Sequence, residues 1–224
     1  MLESVHSVLF VEDDDKLREA TQAALERDGF AVDVAADGAA GLVAFGERHP
    51  DLVLLDVMLP RMDGITLCRE IRARSVVPIV FLSARSDPID VVVGLEAGAD
   101  DYVTKPFDTP VLSARLRAVL RRIERLRDAS VLRVADLEID GDAMTVRCRG
   151  DLVHLTATEF RLLADLARNA GVVRTRPQLL EDVWEYSWLG DSRLVDVHVQ
   201  RLRMKLGSSA IETVRGVGYK LVRP

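Results

Sequence analysis

The chain has 224 residues, a formal net charge of −6, 48% hydrophobic residues and only 5% aromatics. At about 100–200 residues per domain, that length allows one large domain or two small ones, and the apolar fraction excludes a disordered polyanion. The longest apolar stretch, Val76 to Leu82, is far below the ~18–20 residues of a membrane helix, so no membrane association is expected.

The apolar run Val8–Val11 lacks a basic region before it and leads into Glu12, Asp13, Asp14 and Asp15, unlike a signal peptide. Cys68 and Cys148 show no metal or redox spacing, which fits a reducing, cytoplasmic location. The charge is unevenly spread. Residues 1–112 carry 10 Lys/Arg against 21 Asp/Glu, a net of −11, whereas residues 193–224 carry 7 against 2, a net of +5. An acidic front and a basic end suggest two jobs, the second with a polyanion.

Short apolar runs recur at Val8–Val11, Ala31–Val34, Leu52–Leu55, Ile79–Leu82 and Tyr102–Thr104, with helical patterns between them. In the first such pattern Leu17, Ala20, Thr21, Ala24 and Leu25 mark one face, and Gly29 closes the helix. Alternation of this kind predicts a doubly wound α/β domain on a five-stranded parallel sheet. Ligands of such sheets sit beyond the carboxyl ends of the strands. There the sequence places Glu12 and Asp13, Asp56, Ser83, and Lys105 followed by Pro106.

Crowded carboxylates repel unless a hard cation neutralises them, and Mg²⁺ suits an all-oxygen site used for phosphate chemistry. A carboxylate can also be a nucleophile that forms an aspartyl-phosphate, with a lysine and a hydroxyl beside it to stabilise the phosphoryl oxygens. Taken singly, Asp13 or Asp14 reads equally as a helix N-cap, Ser83 as a turn residue and Lys105 as a solvated loop cation. Their convergence on one rim is what points to chemistry.

Val11-Glu12-Asp13-Asp14, Leu55-Asp56-Val57-Met58-Leu59-Pro60 with Asp63-Gly64, Leu82-Ser83-Ala84-Arg85 and Gly98 to Phe107 resemble the flavodoxin-like receiver domain of bacterial response regulators. The resemblance implies that Asp56 accepts a phosphoryl group from a cognate sensor histidine kinase. It makes Glu12, Asp13, Asp56 and the Met58 main-chain carbonyl the Mg²⁺ ligands, and Lys105 the phosphate lysine. Ser83 and Tyr102 match the family's switch pair, and a cis Lys105–Pro106 bond is implied. The protein would phosphorylate and dephosphorylate itself with Mg²⁺ but turn over no independent substrate. A haloacid-dehalogenase-type phosphatase also forms an aspartyl-phosphate, but no second acid follows Asp56 in the spacing that class uses.

A helix is expected to end near Arg125, with domain limits of 1–123, a linker at 124–130 and a second domain at 131–224. Leu132–Val134, Leu137–Ile139, Thr145–Arg147 and Val153–Leu155, separated by Asp140-Gly141-Asp142 and Gly150-Asp151, predict a small antiparallel sheet. Thr156 and Glu159 form a capping-box pattern before Phe160, Leu162, Leu163 and Leu166. A second helix is expected from Arg176 to about Tyr186, with Leu179, Leu180, Val183 and Trp184 inward.

From Asp191 to Leu206, Val195, Val199, Leu202 and Leu206 mark the core face of a third helix, opposite Arg193, Val197, Gln200, Arg201 and Met204. Such a face can enter a major groove, where Arg binds guanine and Val meets a thymine methyl, or it can be an ordinary solvated surface. A glycine hairpin follows, with Arg215 near its tip, placed to reach a minor groove.

Leu155 to Phe160, Val195 to Leu206 and this hairpin resemble the winged helix-turn-helix, an α+β effector of the OmpR/PhoB subfamily. That resemblance implies promoter DNA and RNA polymerase as partners, with Trp184, Arg193, Val197, His198, Gln200, Arg201, Arg203 and Arg215 as DNA contacts. It also implies a homodimer on phosphorylation, for which Asp100, Asp101, Arg115 and Arg122 match inter-subunit charge pairs. Where the family carries a cation and an acid, this chain has Val91 and Val111, an exchange that leaves no unpaired charge. His6, His49 and His154 are expected on the surface and not as phosphodonors.

Overall fold

The computed structural model describes residues 5–84, 88–124, 131–184 and 192–223. Its internal contacts divide the chain into two units, Met1–Leu120 and Arg121–Pro224. In the first, β1 (Ser7–Val11), β2 (Ala31–Ala35), β3 (Leu52–Asp56), β4 (Ile79–Ser83) and β5 (Asp101–Thr104) alternate with five helices. These are α1 (Asp15–Arg27), α2 (Gly38–Arg48), α3 (Gly64–Arg72), α4 (Pro88–Ala97) and α5 (Thr109–Glu124). The strands form one parallel sheet in the order β2-β1-β3-β4-β5, as the alternation predicts.

The unbroken apolar runs of β3 and β4 are buried along their whole length, because helices cover both faces of the sheet. Edge strand β2 is buried only at Ala35. Phe10, Leu25, Leu54, Leu82, Leu112 and Leu116 belong to one core cluster beneath α1 and α5. Helix α1 starts where the Asp14 side chain accepts from the Leu17 N–H at 2.9 Å, and Gly29 follows its end with φ +91°. Its buried stripe is Thr21, Ala24 and Leu25. Ala20, expected on that stripe, is exposed, being turned about 100° from Thr21 around the helix.

The winding reverses between β1 and β3, and register decides what meets there. Val11 pairs with Leu55, so Glu12 and Asp56 leave adjacent strand ends together. Asp56 pairs with Leu82 and Ser83 with Thr104, which brings Ser83 and Lys105 to the same rim. Helix α3 is capped by Asp63, whose carboxylate accepts from Thr66 at 2.8 Å. Its first residue must be glycine for a steric reason: a Cβ on Gly64 would stand 2.0 Å from the Asp56 carbonyl oxygen.

In the second unit, β6 (Leu132–Val134), β7 (Leu137–Asp140), β8 (Thr145–Cys148) and β9 (Asp151–Val153) form an antiparallel sheet in chain order. The expected fourth strand at Val153–Leu155 therefore lies earlier in the chain. Arg149 and Gly150, both at positive φ, turn the chain so tightly that pairing resumes at Asp151. Helices α6 (Ala157–Arg168), α7 (Arg176–Trp184) and α8 (Arg193–Leu206) follow, and β10 (Arg174–Thr175), β11 (Ile211–Val214) and β12 (Gly218–Leu221) make a second sheet in the order β10-β12-β11.

The Thr156–Glu159 capping box is present in both directions. The apolar positions expected on α6 and α7 are buried. Val195, Val199 and Leu202 are buried on α8, while Leu206 is half-buried at the end of the helix. Helix α5 includes Glu124; linker residues 125–130, the α7 extension to Tyr186 and the start of the third helix at Asp191 lie outside the described residues. Among the described residues no helix is long and apolar enough to cross a membrane.

The contact at Gly64 gives a direct test. Gly64→Ala should destabilise the N-terminal unit by about 1–3 kcal/mol, the cost of overpacking a tight site, read as a lower urea midpoint with unchanged slope.

Candidate functional site

The rim above β1, β3 and β5 gathers the acidic residues singled out in the sequence. Glu12 and Asp56 are buried and Asp13 is exposed, and one carboxylate oxygen from each lies within 4.8 Å of the others. Lys105 Nζ donates to Glu12 Oε2 at 2.6 Å and to Asp56 Oδ2 at 2.7 Å. The other Asp56 oxygen, Oδ1, accepts from the Met58 N–H at 3.0 Å, so the bend after β3 orients the carboxylate. Ser83 is fully buried and Tyr102 nearly so, and the Ser83 carbonyl accepts from the Lys105 N–H at 2.8 Å. The Lys105–Pro106 bond is cis.

Burial pushes the Glu12 carboxyl up from its ordinary value, against the lowering effect of the Lys105 hydrogen bond, and the nearby Asp56 charge pushes it further. Burial acts to lower the Lys105 ammonium, but its hydrogen bonds to Asp56 and Glu12 and their charges prevail and raise it. One ammonium therefore serves two buried carboxylates with the exposed Asp13 beside them, a deficit of positive charge in a part-buried place. A hard divalent cation with oxygen donors would close that deficit, and Glu12, Asp13 and Asp56 are the side chains to hold it.

The residues carried over to a dimer surface divide into two sets. Asp100 is fully buried, where its Oδ2 accepts from Arg72 Nη2 at 2.7 Å and from the Ile79 N–H at 3.0 Å. Asp101 is equally buried, accepts from the Tyr102 N–H at 2.8 Å and lies 3.8 Å from Arg115 of its own chain. Both carboxylates thus have cationic partners within one chain, Arg72 and Arg115. Val111 of α5 is 50% exposed and Val93 of α4 37% exposed. The side chains of Val91 and Arg122 lie outside the described residues.

The expected DNA contacts divide in the same way. Val197, His198 and Arg201 of α8 are buried, and Arg201 Nε is 2.8 Å from Glu159 Oε1. His198 Nδ1 stands 2.8 Å from the Leu194 carbonyl, and its ring packs edge-on against the buried Trp184 with centroids 5.1 Å apart. Val197, His198, Arg201 and Trp184 are thus each packed within the effector domain. Arg203 donates to the Ile211 carbonyl and to Thr213 Oγ1 of β11, and is likewise occupied at home. On the outer side of α8, Arg193 is half-buried, while Gln200 and Met204 are exposed. Arg215 is exposed in the turn between β11 and β12. His49 and His154 are exposed, and His6 is half-buried beside Asp51.

Sequence reasoning missed Glu159 as a charge partner. Read as a helix cap, it also binds Arg201 and, at 2.6 Å, Lys205 Nζ. Those partners lie more than forty positions away, and only the buried glutamate in an apolar run could have signalled them. Arg72, which holds Asp100 and the Gly98 carbonyl, was missed for the same reason.

Comparison with known proteins agrees with this geometry. Residues 8–117 match the family described as response regulator receiver domain, and residues 150–221 the one described as transcriptional regulatory protein, C terminal. The chain is 59% identical to the transcriptional regulatory protein CseB of Streptomyces coelicolor, with 99% of each chain covered. It is 50% identical to the DNA-binding response regulator MtrA of Mycolicibacterium smegmatis, over 97% of each. The structure of DrrB, a Thermotoga maritima OmpR/PhoB homologue, matches with a TM-score of 0.53 at 34% identity, covering 97% of this chain and 99% of that one.

The raised Glu12 carboxyl has a measurable consequence for cation binding. A cation needs Glu12 ionised, and a proton competes with it once the pH falls to the raised value. Mg²⁺ affinity measured by calorimetry should therefore begin to fall at a higher pH than an ordinary glutamate would dictate, steepening to about tenfold per unit below it. In Glu12→Gln that component should be missing.

Proposed function

The chain belongs to the response regulators of two-component systems, in the OmpR/PhoB-type branch that joins a receiver to a DNA-binding domain, and on that premise we propose that Asp56 is its phosphoacceptor. The observation that carries the reading is the Lys105 ammonium shared between Glu12 and Asp56 at the reversal point of the sheet. An Asp56 carboxylate oxygen attacks the phosphorus of a phosphohistidine on a sensor histidine kinase. The phosphorus–nitrogen bond breaks, and the histidine nitrogen leaves with its electron pair.

Mg²⁺ held by Glu12, Asp13, Asp56 and the Met58 carbonyl would supply positive charge to the phosphoryl oxygens. Lys105 moves from the Asp56 oxygen to the new phosphoryl group, following the negative charge. Ser83, buried at the same rim, donates its hydroxyl proton to a phosphoryl oxygen, and the Tyr102 ring follows it. The same pocket, acting with Mg²⁺, carries self-phosphorylation from small donors and later hydrolysis.

The output is a change in pairing. Phosphorylation favours a receiver homodimer, which places two effector domains on one promoter duplex, and effective concentration then adds about 10²–10⁴ in avidity. We assign the receiver to 1–123, the linker to 124–130 and the effector to 131–224, in a cytoplasmic regulator that also meets RNA polymerase. With Arg201 and Arg203 occupied inside the domain, duplex contact falls to Arg193, Gln200 and Met204 on α8 and to Arg215 at the hairpin tip.

The test pairs intact mass with light scattering, with and without a small phosphodonor and Mg²⁺. One phosphoryl adduct with dimerisation, both missing in Asp56→Asn, is the expected result; a folded protein that takes no adduct would sink the assignment. The exposed Val111 and its expected partner Val91 give a second outcome. The phosphorylated dimer should weaken little as salt rises, since an apolar seam lacks the ion pair that salt screens. A steep loss between 50 and 500 mM salt (about a factor of three in screening length) would count against it.

A further inference from the structure

We infer that the hairpin of the effector domain is clamped to α8 by two separate ties, made by Tyr219 and Arg203, which set the register between Arg215 at its tip and the exposed face of the helix. The inference rests on the reading that Arg215 touches DNA. It concerns residues that position that contact and do not themselves make it.

The first tie runs from β12. Tyr219 is buried, and its hydroxyl donates to Asp196 Oδ1 on α8 at 2.8 Å. Arg176 at the start of α7 closes the triangle: its Nη2 donates to the Tyr219 hydroxyl at 3.0 Å and its Nε to the same Asp196 oxygen at 2.7 Å. The Arg176 guanidinium also lies 4.7 Å from the centre of the Tyr219 ring, a cation–π distance.

The second tie runs from α8 to β11. Arg203 donates twice to the Ile211 carbonyl, at 3.1 and 2.8 Å, and once to Thr213 Oγ1 at 2.7 Å. Its guanidinium lies 5.7 Å from the Tyr219 ring, so the two ties also touch each other.

Their placement gives the argument its force. Asp196 and Arg203 are seven residues apart, about 10.5 Å along the helix axis. Strand β10 already pairs with β12 at Gly218 and Tyr219, and the two ties at separate heights on α8 add a hold on the angle between hairpin and helix. On the hairpin side they converge, because Thr213 and Tyr219 are directly paired across the strands. That pair lies immediately below the closing Val214–Gly218 pair, and the turn carrying Arg215 begins just beyond it. Thr213 and Tyr219 therefore grip the base of the tip, while Arg203 also holds Ile211 at the far end of β11. Held there, Arg215 meets a groove at a preset offset from Gln200 and Met204, and little ordering entropy is lost on binding.

A double-mutant cycle tests this on full-length protein with a duplex recovered by the wild type from a random-sequence pool. Arg215→Ala should weaken binding by about tenfold and lower the salt slope of log Kd by about one. Tyr219→Phe keeps the buried ring, removes one hydroxyl and changes no charge. It should weaken binding by about three- to tenfold, the range of one lost hydrogen bond. It should also lower the salt slope toward that of Arg215→Ala.

The double variant should bind within about twofold of Arg215→Ala alone, because the tip contact can be lost only once. Losses that multiply, or an unchanged salt slope in Tyr219→Phe, would overturn the clamp while leaving the Arg215 contact standing. No loss in Arg215→Ala would overturn the contact and the clamp together. Thr213→Val, at an exposed position, loosens the other tie and supplies the same cycle should Tyr219→Phe fail to fold.

Discussion

At the point where the receiver sheet reverses its winding, two buried carboxylates share one ammonium and a third, Asp13, stands beside them. Strand register brings them together, since Glu12 and Asp56 leave paired strands at the same height and Lys105 leaves β5 beside Ser83. The arrangement is short of positive charge, and that deficit explains most of what the domain is built to do. It makes the site receptive to a divalent cation. On the proposed reading it also makes the Lys105 contact to Asp56 conditional, because phosphorylation would place more negative charge beside the lysine. A site with balanced charge would hold its lysine equally well before and after phosphoryl transfer, and could signal nothing.

The effector domain is organised by the opposite condition. Its central carboxylate, Glu159, is fully buried and has two cations, Arg201 and Lys205, within hydrogen-bond distance, besides capping α6. An uncompensated charge at such depth would be severely destabilising, so Glu159 requires at least one of these cations. The first domain leaves charge unsatisfied where a ligand and a reaction must come; the second satisfies it where a helix must be held. This contrast is why basic residues on α8 cannot be equated with contacts to a duplex.

Much of this was legible in the sequence. Alternating strand and helix patterns located the parallel sheet, and strand-end logic brought Glu12, Asp13, Asp56, Ser83 and Lys105 to one rim without any structure. What sequence could not show were partners distant in the chain. The ion pairs of Asp100 with Arg72 and of Asp101 with Arg115 within one chain were not foreseen. Nor was the pairing of Arg201 with Glu159, which was read only as a cap. Helical periodicity identifies a face but says nothing of which long side chains fold back beneath it. The β9 boundary failed for a local reason, two positive-φ residues that shorten the turn.

The charge asymmetry of the chain acquires a different meaning in this light. Residues 193–224 carry 7 basic side chains, but Arg201, Arg203, Lys205 and Lys220 are each bonded to groups of their own domain. Part of that charge is matched inside the domain, by Glu159 and Glu212, so composition alone does not locate the groups that face a polyanion. On the proposed reading, control is exercised by pairing, and weak contact by one domain would suit it. If a single domain bound tightly, joining two would change occupancy little, and phosphorylation would have nothing to add. A small number of outward-facing groups at a spacing set by the hairpin would then leave room for avidity to act as the switch.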